Sequence, residues 1–476
     1  MSRHEEMLIN GTFVGGPCDQ AVGKEIARSP LDGHVVGTYA EGGWSELRTS
    51  ILSAADAFPL YRQTSVAERQ RLLREIAARV RDRRTELSEL MADEIGKPVT
   101  LGLAELDRCA FTFELAAAAL NDWNDEVRST DYDPRGKGRQ IFVRRRPVGV
   151  VFGIVPYNWP FNLTAHKVAP ALAVGCTMVI KPSPQAALST MALGRIIHES
   201  GCPHGAVNVW AGSPRSAEKG LMMPEVNMLS FTGSPAVGWA LKEKMGRRPV
   251  VLELGGDAFA LVGPDADLDD AVAKLVPGAF AYAGQICISV QHILVHESVY
   301  AAFRDKFLAA AKQVRTGEPR VAAVICGPMI SEEAAKKLED KVEVAEMLGA
   351  TILLRGERQR ALVPPIVLEN VPESCDLGCE EAFGPVCDLA PFTTWDEAFA
   401  RVNRSKYGIQ AGLFSHDPSV IERAWDELEV GGIVVNDSPS LRFDASPYGG
   451  VKESGWGREG IREAMLSMTE PVAKIE

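Results

Sequence analysis

Cys287 is the residue of this sequence best suited to covalent chemistry. It follows Gly284 and Gln285 in the segment FAYAGQICISV, where small and apolar residues surround one thiol. Free cysteines are most often buried and inert, so packing alone is one interpretation. A nucleophile that forms a covalent intermediate is the other. The eight histidines offer no competing arrangement, because none lies in a triad-like setting such as Gly-x-Ser-x-Gly.

Two polar residues could assist such a thiol. Glu253 lies between Leu252 and Leu254 in VLELGGD, and burial there would raise its pKa toward that of a general base. A glutamate that faces water at the end of a strand fits the same pattern. Asn158 lies on a proline-bracketed loop in IVPYNWPF, where its side-chain amide could donate a hydrogen bond to an oxyanion.

A glycine turn and a lysine are candidates for binding a phosphorylated cofactor. In FTGSPAVGWAL an apolar strand runs into Gly233, and Gly238 follows at the opening of a helix. Backbone amides and the helix dipole at such a turn favour an anion, although an ordinary strand-to-helix turn has the same pattern. Lys181 follows a strand in VIKPSP. Its ammonium group could bind ribose hydroxyls or a phosphate, or face water.

The surrounding pattern predicts the elements that position these residues. Ser65 and Glu68 form a capping-box pair before a long helical region that closes at Gly96 and Pro98. From residue 148, continuous Val and Ile runs alternate with helical stretches, which indicates a parallel sheet with both faces covered. The same rhythm returns from AVAKLVPGAF onward and predicts a second α/β unit.

One segment fits neither α/β unit. Residues 125–146 read as a hairpin, and an isolated hairpin is marginal in water, so it should pack on another element. The strand-like end of the chain, MTEPVAKIE, is a candidate partner, either within the chain or across a subunit boundary.

Composition narrows the classes of protein. The chain has 476 residues, 46% of them apolar, and exceeds the size of about 250 to 300 residues at which single cores divide into domains. A net charge of −12 without long basic runs disfavours a nucleic-acid partner. With no predicted signal peptide or membrane span, we expect a cytoplasmic protein. Nine scattered cysteines indicate reduced thiols, and Cys375 and Cys379 lack a second ligand pair, so we expect no metal site.

Seven segments together carry more information than any of them alone. PYNWP, IKPS, FTGS followed by Gly238, LELGG, GQIC, EEAFGPV and PYGGVKESGWGREG occur in the order and approximate spacing of the aldehyde dehydrogenase superfamily. The sequence resembles this family over nearly its whole length. The resemblance implies an α/β fold with two Rossmann-related parallel-sheet domains and a small β oligomerisation element. The implied limits are 1–124 and 147–254 for NAD(P) binding, 255–447 for catalysis, and 125–146 and 463–476 for oligomerisation.

The same resemblance implies the roles of individual residues. Cys287 matches the nucleophile, Glu253 the general base and Asn158 the oxyanion donor. The implied reaction forms a thiohemiacetal, passes hydride to NAD(P)⁺ and hydrolyses the resulting thioester with water activated by Glu253. Among the cofactor contacts, Lys181 matches the adenosine ribose, Ser234 the pyrophosphate, Glu381 the nicotinamide ribose and Phe383 the nicotinamide. The implied cofactor residues are Val155, Pro156, Tyr157, Lys181, Ser183, Pro184, Gly212, Arg215, Phe231, Thr232, Gly233, Ser234, Gly238, Leu254, Glu381 and Phe383.

One departure from the family pattern bears on the cofactor. Most members that use NAD carry Glu where this sequence has Pro184, and that carboxylate would accept hydrogen bonds from the adenosine ribose. Proline brings no negative charge to repel a 2′-phosphate, so use of NADP is expected, with NAD still open. Arg215 is a weaker candidate for holding that phosphate, and an arginine that faces water is its alternative.

Two arginines suggest the substrate. Arg442 lies in a loop that matches one bordering the substrate tunnel of the family, and the resemblance implies a small hydroxylated or anionic aldehyde, such as lactaldehyde, glyceraldehyde 3-phosphate, a semialdehyde or a phosphonate aldehyde. The guanidinium groups of Arg108 and Arg442 would suit an anionic tail. Structural ion pairs are the alternative role for both arginines.

A coenzyme A-acylating dehydrogenase is a second hypothesis for the function, and retention of Glu253 argues against it. A non-catalytic protein on the same fold is a third. We expect a homodimer or a dimer of dimers.

Overall fold

The computed structural model describes residues 3–476, which form four β-sheets and fifteen α-helices. The strands are β1 (Arg3–Glu5), β2 (Met7–Ile9), β3 (Thr12–Val14), β4 (Gly23–Arg28), β5 (Val35–Glu41), β6 (Glu126–Ser129), β7 (Gln140–Pro147), β8 (Val150–Ile154), β9 (Thr177–Lys181), β10 (Val207–Val209), β11 (Val226–Thr232), β12 (Val250–Glu253), β13 (Ala258–Val262), β14 (Val290–His296), β15 (Thr351–Leu354), β16 (Ile366–Glu369), β17 (Val386–Phe392), β18 (Gln410–Phe414), β19 (Gly432–Val435), β20 (Gly455–Trp456) and β21 (Thr469–Ile475).

The helices surround these sheets. They are α1 (Trp44–Tyr61), α2 (Val66–Asp82), α3 (Arg84–Ile95), α4 (Val99–Ala119), α5 (Pro160–Val174), α6 (Ala187–Glu199), α7 (Pro214–Leu221), α8 (Pro235–Met245), α9 (Leu268–Phe280), α10 (Glu297–Ala311), α11 (Glu332–Met347), α12 (Asp376–Cys379), α13 (Trp395–Arg404), α14 (Pro418–Glu427) and α15 (Ile461–Ser467). Among the helices of residues 3–476, none combines the length and apolar character that a membrane crossing requires.

The predicted helical region is divided in two. The capping box forms, with the Ser65 hydroxyl accepting from the Glu68 N–H and the Glu68 carboxylate accepting from the Ser65 N–H. Helix α2 then ends at Asp82, and Arg83 separates it from α3, which ends at Ile95. The next residue, Gly96, adopts the left-handed conformation with φ of 67°. Glycine carries no Cβ and therefore closes the helix without steric cost.

The first large sheet has eight strands in the order β20-β12-β11-β8-β9-β10-β2-β3. Strands β12, β11, β8, β9 and β10 are parallel, so their carboxyl ends meet at one edge. Asn158, Lys181, Gly233 and Glu253 follow or end β8, β9, β11 and β12 respectively. This edge is where open α/β sheets bind ligands.

The second large sheet has seven strands in the order β15-β16-β17-β14-β13-β18-β19, and all but β15 are parallel. The Cys287 loop leads into β14, the loop that carries Glu381 and Phe383 leads into β17, and Gly255 and Gly256 lead into β13. These three strands are neighbours. The amino edge of the second sheet therefore faces the carboxyl edge of the first across the site.

A small sheet joins the hairpin to the end of the chain. Strands β6 and β7 pair antiparallel, and β21 pairs along β7 from Thr469 opposite Pro147 to Ile475 opposite Ile141. The partner of the hairpin is thus the C-terminal strand of the same chain. A further three-stranded sheet, β1-β5-β4, was not predicted.

Candidate active site

Cys287 lies on a loop with an unusual backbone. Tyr282, Ala283 and Gly284 adopt positive φ angles of 52°, 53° and 64° in succession, each non-glycine example costing roughly 1–2 kcal/mol. A Cβ at position 284 would stand 2.1 Å from the Gly384 carbonyl oxygen, so only glycine fits there. This packing fixes the loop that carries the thiol.

The thiol is close to a tyrosine hydroxyl and largely desolvated. Cys287 Sγ lies 3.1 Å from Tyr448 Oη. Desolvation raises the pKa of Cys287 to about 12, the hydrogen bond to Tyr448 opposes that rise, and the carboxyl groups of Glu381 and Glu253 add to it. The thiol therefore needs a base or an added positive charge to become a nucleophile.

Asn158 is held next to the Cys287 loop. Its Nδ2 donates to the Gln285 carbonyl oxygen over 2.9 Å, which leaves its second N–H free of that bond. Its Oδ1 is buried without a hydrogen-bond partner in residues 3–476. The second N–H of the Asn158 amide can therefore donate a hydrogen bond to an oxyanion that forms on a group bound to Cys287.

A buried ion pair supports the Asn158 loop. Lys97 Nζ donates to the Glu105 carboxylate over 2.5 Å and to the Asn158 carbonyl oxygen over 2.8 Å. Glu105 in turn accepts from the backbone N–H groups of Phe161 and Asn162 at the start of α5. The loop is thus fixed from both sides by charge-assisted hydrogen bonds.

Glu253 ends β12 and is only 2% exposed. Both carboxylate oxygens lack a hydrogen-bond partner within residues 3–476. Burial raises the pKa of Glu253 well above its usual range, and the negative charge of Glu459 raises it further. A buried carboxyl group with a raised pKa and no hydrogen-bond partner can exchange a proton, as a general base must.

A positively charged network lies beside Glu253. Lys167 Nζ donates to Glu459 Oε1 over 2.9 Å and to Thr232 Oγ1 over 2.8 Å. Arg442 Nη2 reaches Glu459 Oε2 at 3.3 Å, and its guanidinium group lies 3.6 Å from the centroid of the Tyr448 ring. Glu459 is therefore balanced by two cations, whereas Glu253 has no direct partner.

A cleft of about 510 Å³ joins the two sheets at this point. It includes Cys287 and Asn158, and it brings together every predicted cofactor residue except Gly212, Arg215 and Gly238. Gly212 and exposed Arg215 lie near the start of α7, and Gly238 is buried against Leu254. The complete lining is Ile154, Val155, Pro156, Tyr157, Asn158, Leu163, Lys181, Ser183, Pro184, Gln185, Phe231, Thr232, Gly233, Ser234, Val237, Leu254, Gly255, Cys287, Glu381 and Phe383.

The lining fits a dinucleotide with phosphate and ribose groups. Burial lowers the pKa of Lys181 to about 8. Ser234 precedes α8 but makes no capping bond, so its hydroxyl stands uncommitted at the positive end of that helix. Glu381 accepts from the Gly256 N–H over 3.1 Å. A Cβ on Gly255 would stand 2.7 Å from Glu381 Oε2, so glycine is needed for this close approach.

Both candidate substrate arginines have carboxylate partners. Arg108 makes two hydrogen bonds to Asp444, at 3.0 and 2.6 Å. Asp444 also accepts from His166 Nε2 and Asn162 Nδ2. Of the two alternatives given for Arg108, the structure contains the structural ion pair, because Asp444 balances its charge. Arg442 keeps one donor, Nε, buried and without a partner in residues 3–476.

Several residues of the site were not predicted from the sequence. They are Tyr448 beside the thiol, Lys167 and Glu459 beside Glu253, and Asp444 beside Arg108. Lys167 did carry a signal, since a lysine within the apolar segment PFNLTAHKVAPALAV must find a buried partner. Tyr448 and Glu459 lie in PYGGVKESGWGREG, which was used only for the resemblance.

Comparisons with known proteins agree with this geometry. The family model described as "Aldehyde dehydrogenase family" matches residues 20–473. A 3-sulfolactaldehyde dehydrogenase of Priestia aryabhattai is 38% identical over 426 residues, covering 89% of each chain. The chain belongs to the aldehyde dehydrogenase family and is an oxidoreductase, which confirms the predicted family, α/β fold class and enzyme class.

Two solved structures are similar over almost the whole chain. Aldehyde dehydrogenase 21 from Physcomitrella patens, in complex with the reaction product succinate, has a TM-score of 0.97 and 35% identity, covering 100% of this chain and 98% of that one. Glyceraldehyde-3-phosphate dehydrogenase from Methanocaldococcus jannaschii, complexed with NADP, has a TM-score of 0.91 and 36% identity, covering 95% and 99%.

Proposed function

We propose that Cys287 is the nucleophile of an NAD(P)-dependent oxidation of a short aldehyde to its carboxylic acid. The observation that supports this most directly is that Cys287 and Asn158 line the same cleft as Lys181 and Glu381. A thiol at the end of a cleft suited to a dinucleotide is placed for covalent attack followed by hydride transfer.

The residues divide the work of this reaction. The Cys287 thiolate attacks the aldehyde carbon, and the oxyanion accepts hydrogen bonds from the Asn158 amide and the Cys287 backbone N–H. NAD(P)⁺ in the cleft supplies the hydride acceptor, so that a thioester remains on Cys287. Glu253 then takes a proton from water, the hydroxide attacks the thioester carbonyl, and the acid leaves as the thiol reforms.

The assignment of Cys287 can be tested with a matched cysteine control. Cys287→Ala should abolish reduction of the cofactor, because the thioester route has no second nucleophile. Cys379→Ala removes an exposed thiol outside the cleft and should retain full activity. Absorbance of the reduced nicotinamide measures both. Substantial turnover by a folded Cys287→Ala variant would contradict the proposal.

The cofactor we propose is NADP, with NAD as an alternative. Pro184 lines the cleft without a carboxylate, and the similar Methanocaldococcus jannaschii structure contains NADP. Kinetic constants for both cofactors with one aldehyde decide between them.

The substrate we propose is a short aldehyde that carries a hydroxyl or an anionic group. A similar protein is a lactaldehyde dehydrogenase of Methanocaldococcus jannaschii, and another is a sulfoacetaldehyde dehydrogenase of Neptuniibacter caesariensis. Within this chain, Arg442 offers its unpaired Nε, whereas Arg108 is committed to Asp444. Arg442 is therefore the better candidate for a contact with an anionic tail.

A panel of aldehydes tests this proposal. With wild type, lactaldehyde and an anionic semialdehyde should be oxidised with a higher kcat/KM than propanal. Arg442→Met should reduce kcat/KM for the anionic aldehyde more than for propanal, and Arg108→Met should affect both alike. Equal losses on both aldehydes in the Arg442→Met variant would contradict an anionic substrate and favour a small neutral aldehyde.

Adding coenzyme A tests the alternative of an acylating dehydrogenase. The product should be the free acid rather than a thioester of coenzyme A, since Glu253 is present to activate water.

The assembly and the location are also proposals. The small sheet leaves Val127 on β6 57% exposed and Ile475 on β21 60% exposed. Apolar side chains on free sheet edges favour burial against another copy, so we propose a homodimer or a dimer of dimers built through this sheet. All nine cysteines lie in residues 3–476 as free thiols, which favours the reducing cytoplasm.

A further inference from the structure

The hydroxyl of Tyr448 is within hydrogen-bond distance of the Cys287 sulfur, and the reaction described above gives it no task. Its distance to Sγ is 3.1 Å. Within residues 3–476 this is the hydroxyl's single hydrogen bond, so the group is not committed to a backbone carbonyl or a carboxylate. The tyrosine is 4% exposed, so water does not compete freely for the hydroxyl.

The position of Tyr448 is fixed by its neighbours. Its backbone N–H donates to the Glu459 carbonyl oxygen over 2.9 Å, and the Glu459 N–H donates back over 2.6 Å. Its ring packs with Ile288 and Ile409 beside the Cys287 loop. A side chain held by both backbone and packing is preorganised for one contact, and here that contact is with the sulfur.

A cation lies over the tyrosine ring. The Arg442 guanidinium carbon is 3.6 Å from the ring centroid, and its side chain is 6% exposed. Arginine stays charged at all accessible pH values. A positive charge over the ring stabilises negative charge on the phenol oxygen, so it makes the hydroxyl a stronger hydrogen-bond donor.

The direction of the hydrogen bond follows from the protonation state of the sulfur. A neutral thiol and a hydroxyl can each donate. A thiolate has no proton to donate, so the Tyr448 hydroxyl must then be the donor. The contact therefore becomes a charge-assisted hydrogen bond only in the nucleophilic state, which it stabilises relative to the thiol.

We propose that Tyr448 is a further catalytic residue, whose hydroxyl donates a hydrogen bond to the Cys287 thiolate and favours its formation. Arg442 is a positioning residue that strengthens this donor from the far side of the ring. The inference rests on the proposed role of Cys287 as the nucleophile. It concerns how the thiolate forms and does not depend on which aldehyde is oxidised.

Alkylation of Cys287 by iodoacetamide tests the proposal without an aldehyde or a cofactor. Tyr448→Phe keeps the ring, its packing and the contact with Arg442, and it removes only the donor. The modified peptide that contains Cys287 is quantified by mass spectrometry between pH 7 and pH 10, and the exposed Cys379 in the same samples serves as an internal control. Tyr300 on α10 is the matched tyrosine control, since Tyr300→Phe removes a hydroxyl that donates to Glu369 at the end of β16.

We expect Tyr448→Phe to slow alkylation of Cys287 roughly tenfold at each pH below the thiol's midpoint, the size of one lost charge-assisted hydrogen bond. Cys379 should react at an unchanged rate, and Tyr300→Phe should match wild type at both sites. Arg442→Met should slow Cys287 in the same direction by a smaller factor. Superimposed pH profiles for wild type and a folded Tyr448→Phe variant would overturn the proposal.

A second measurement covers the case in which Tyr448→Phe does not fold. Replacing all eight tyrosines with 3-fluorotyrosine makes each phenol a stronger donor at almost constant size. Cys287 should then be alkylated faster than in unlabelled protein, and an unchanged or slower rate would count against the proposal. Absence of aldehyde oxidation by wild type would instead refute the proposed function, because alkylation requires no turnover.

Discussion

Introducing a carboxylate at position 184 should change the cofactor preference from NADP to NAD. Pro184 lines the cleft and lies three residues after Lys181, the last residue of β9. It opens a short helical turn, Pro184–Ala186, whose first residue is not required to donate a backbone hydrogen bond. Pro184→Glu therefore adds a charge at low cost to the local fold.

The expected size follows from two terms. Unit charges 4 Å apart repel by about 1 kcal/mol in water and about 4 kcal/mol at an effective dielectric constant of about 20, where protein partly replaces the water between them. Pro184 is exposed, so the lower value applies, and a nearly dianionic 2′-phosphate doubles it to about 2 kcal/mol. A hydrogen bond from the ribose of NAD to the new carboxylate adds about 1 kcal/mol. Together they change the ratio of kcat/KM for the two cofactors by about 100-fold.

Specificity constants for NAD and NADP with one aldehyde measure this change. Pro184→Gln is the matched control, because it can accept the ribose hydrogen bond without repelling phosphate. It should improve the use of NAD about fivefold and leave NADP almost unchanged. The reasoning would be refuted by equal losses of NADP activity in the Glu and Gln variants, or by a wild-type enzyme that does not use NADP.

Three further predictions concern catalysis, pH and assembly. Glu253→Gln should give a burst of reduced cofactor in stopped-flow absorbance followed by a slow steady state, because an amide cannot accept the proton of water; an unaltered steady state would contradict the role of Glu253. Burial lowers the pKa of Lys181 to about 8, so its positive charge is lost as the pH rises through 8. The KM for NADP should therefore increase between pH 7 and pH 9, and Lys181→Arg should remove this dependence; a KM that is constant for wild type would be inconsistent with a charged contact. Light scattering at micromolar concentration should show at least a dimer, and deletion of residues 469–476 should yield monomers; a monomeric wild type would exclude assembly through the small sheet.

Local signals in the sequence predicted the starts and ends of elements where particular residues enforce them. The pair Ser65 and Glu68 marked the beginning of α2 because each side chain satisfies a backbone group of the other. Gly96 marked the end of α3 through its left-handed conformation. The break at Arg83 carried no comparable signal, since arginine is an ordinary helix former and the division depends on packing.

Local sequence patterns could not predict contacts between residues that are far apart in the chain. Tyr448 meets Cys287 across 161 positions, and Asp444 meets Arg108 across 336. Nothing in the neighbourhood of either residue indicates its partner, because the two large sheets and the final segment must first assemble. The sequence therefore left open whether Arg108 and Arg442 contact an anionic substrate or form structural ion pairs, and only the fold shows Asp444 beside Arg108 and Glu459 beside Arg442.

The two buried carboxyl groups near the thiol have opposite environments, and this separates their roles. Burial raises the pKa of Glu459 as well, but the positive charges of Lys167 and Arg442 outweigh it and lower that pKa to about 2. Glu459 thus remains an anion at neutral pH and cannot exchange a proton. Its charge instead adds to the effect of burial on Glu253, whose pKa moves upward. When their environments move the pKa values of two neighbouring carboxyl groups in opposite directions, the group with the raised pKa is suited to proton transfer and the other to electrostatic support. Arg442 and Lys167, which hold Glu459 as an anion, also lower the pKa of Glu253 against the effect of burial, and this favours the carboxylate form of Glu253 that the proposed reaction needs to accept a proton from water.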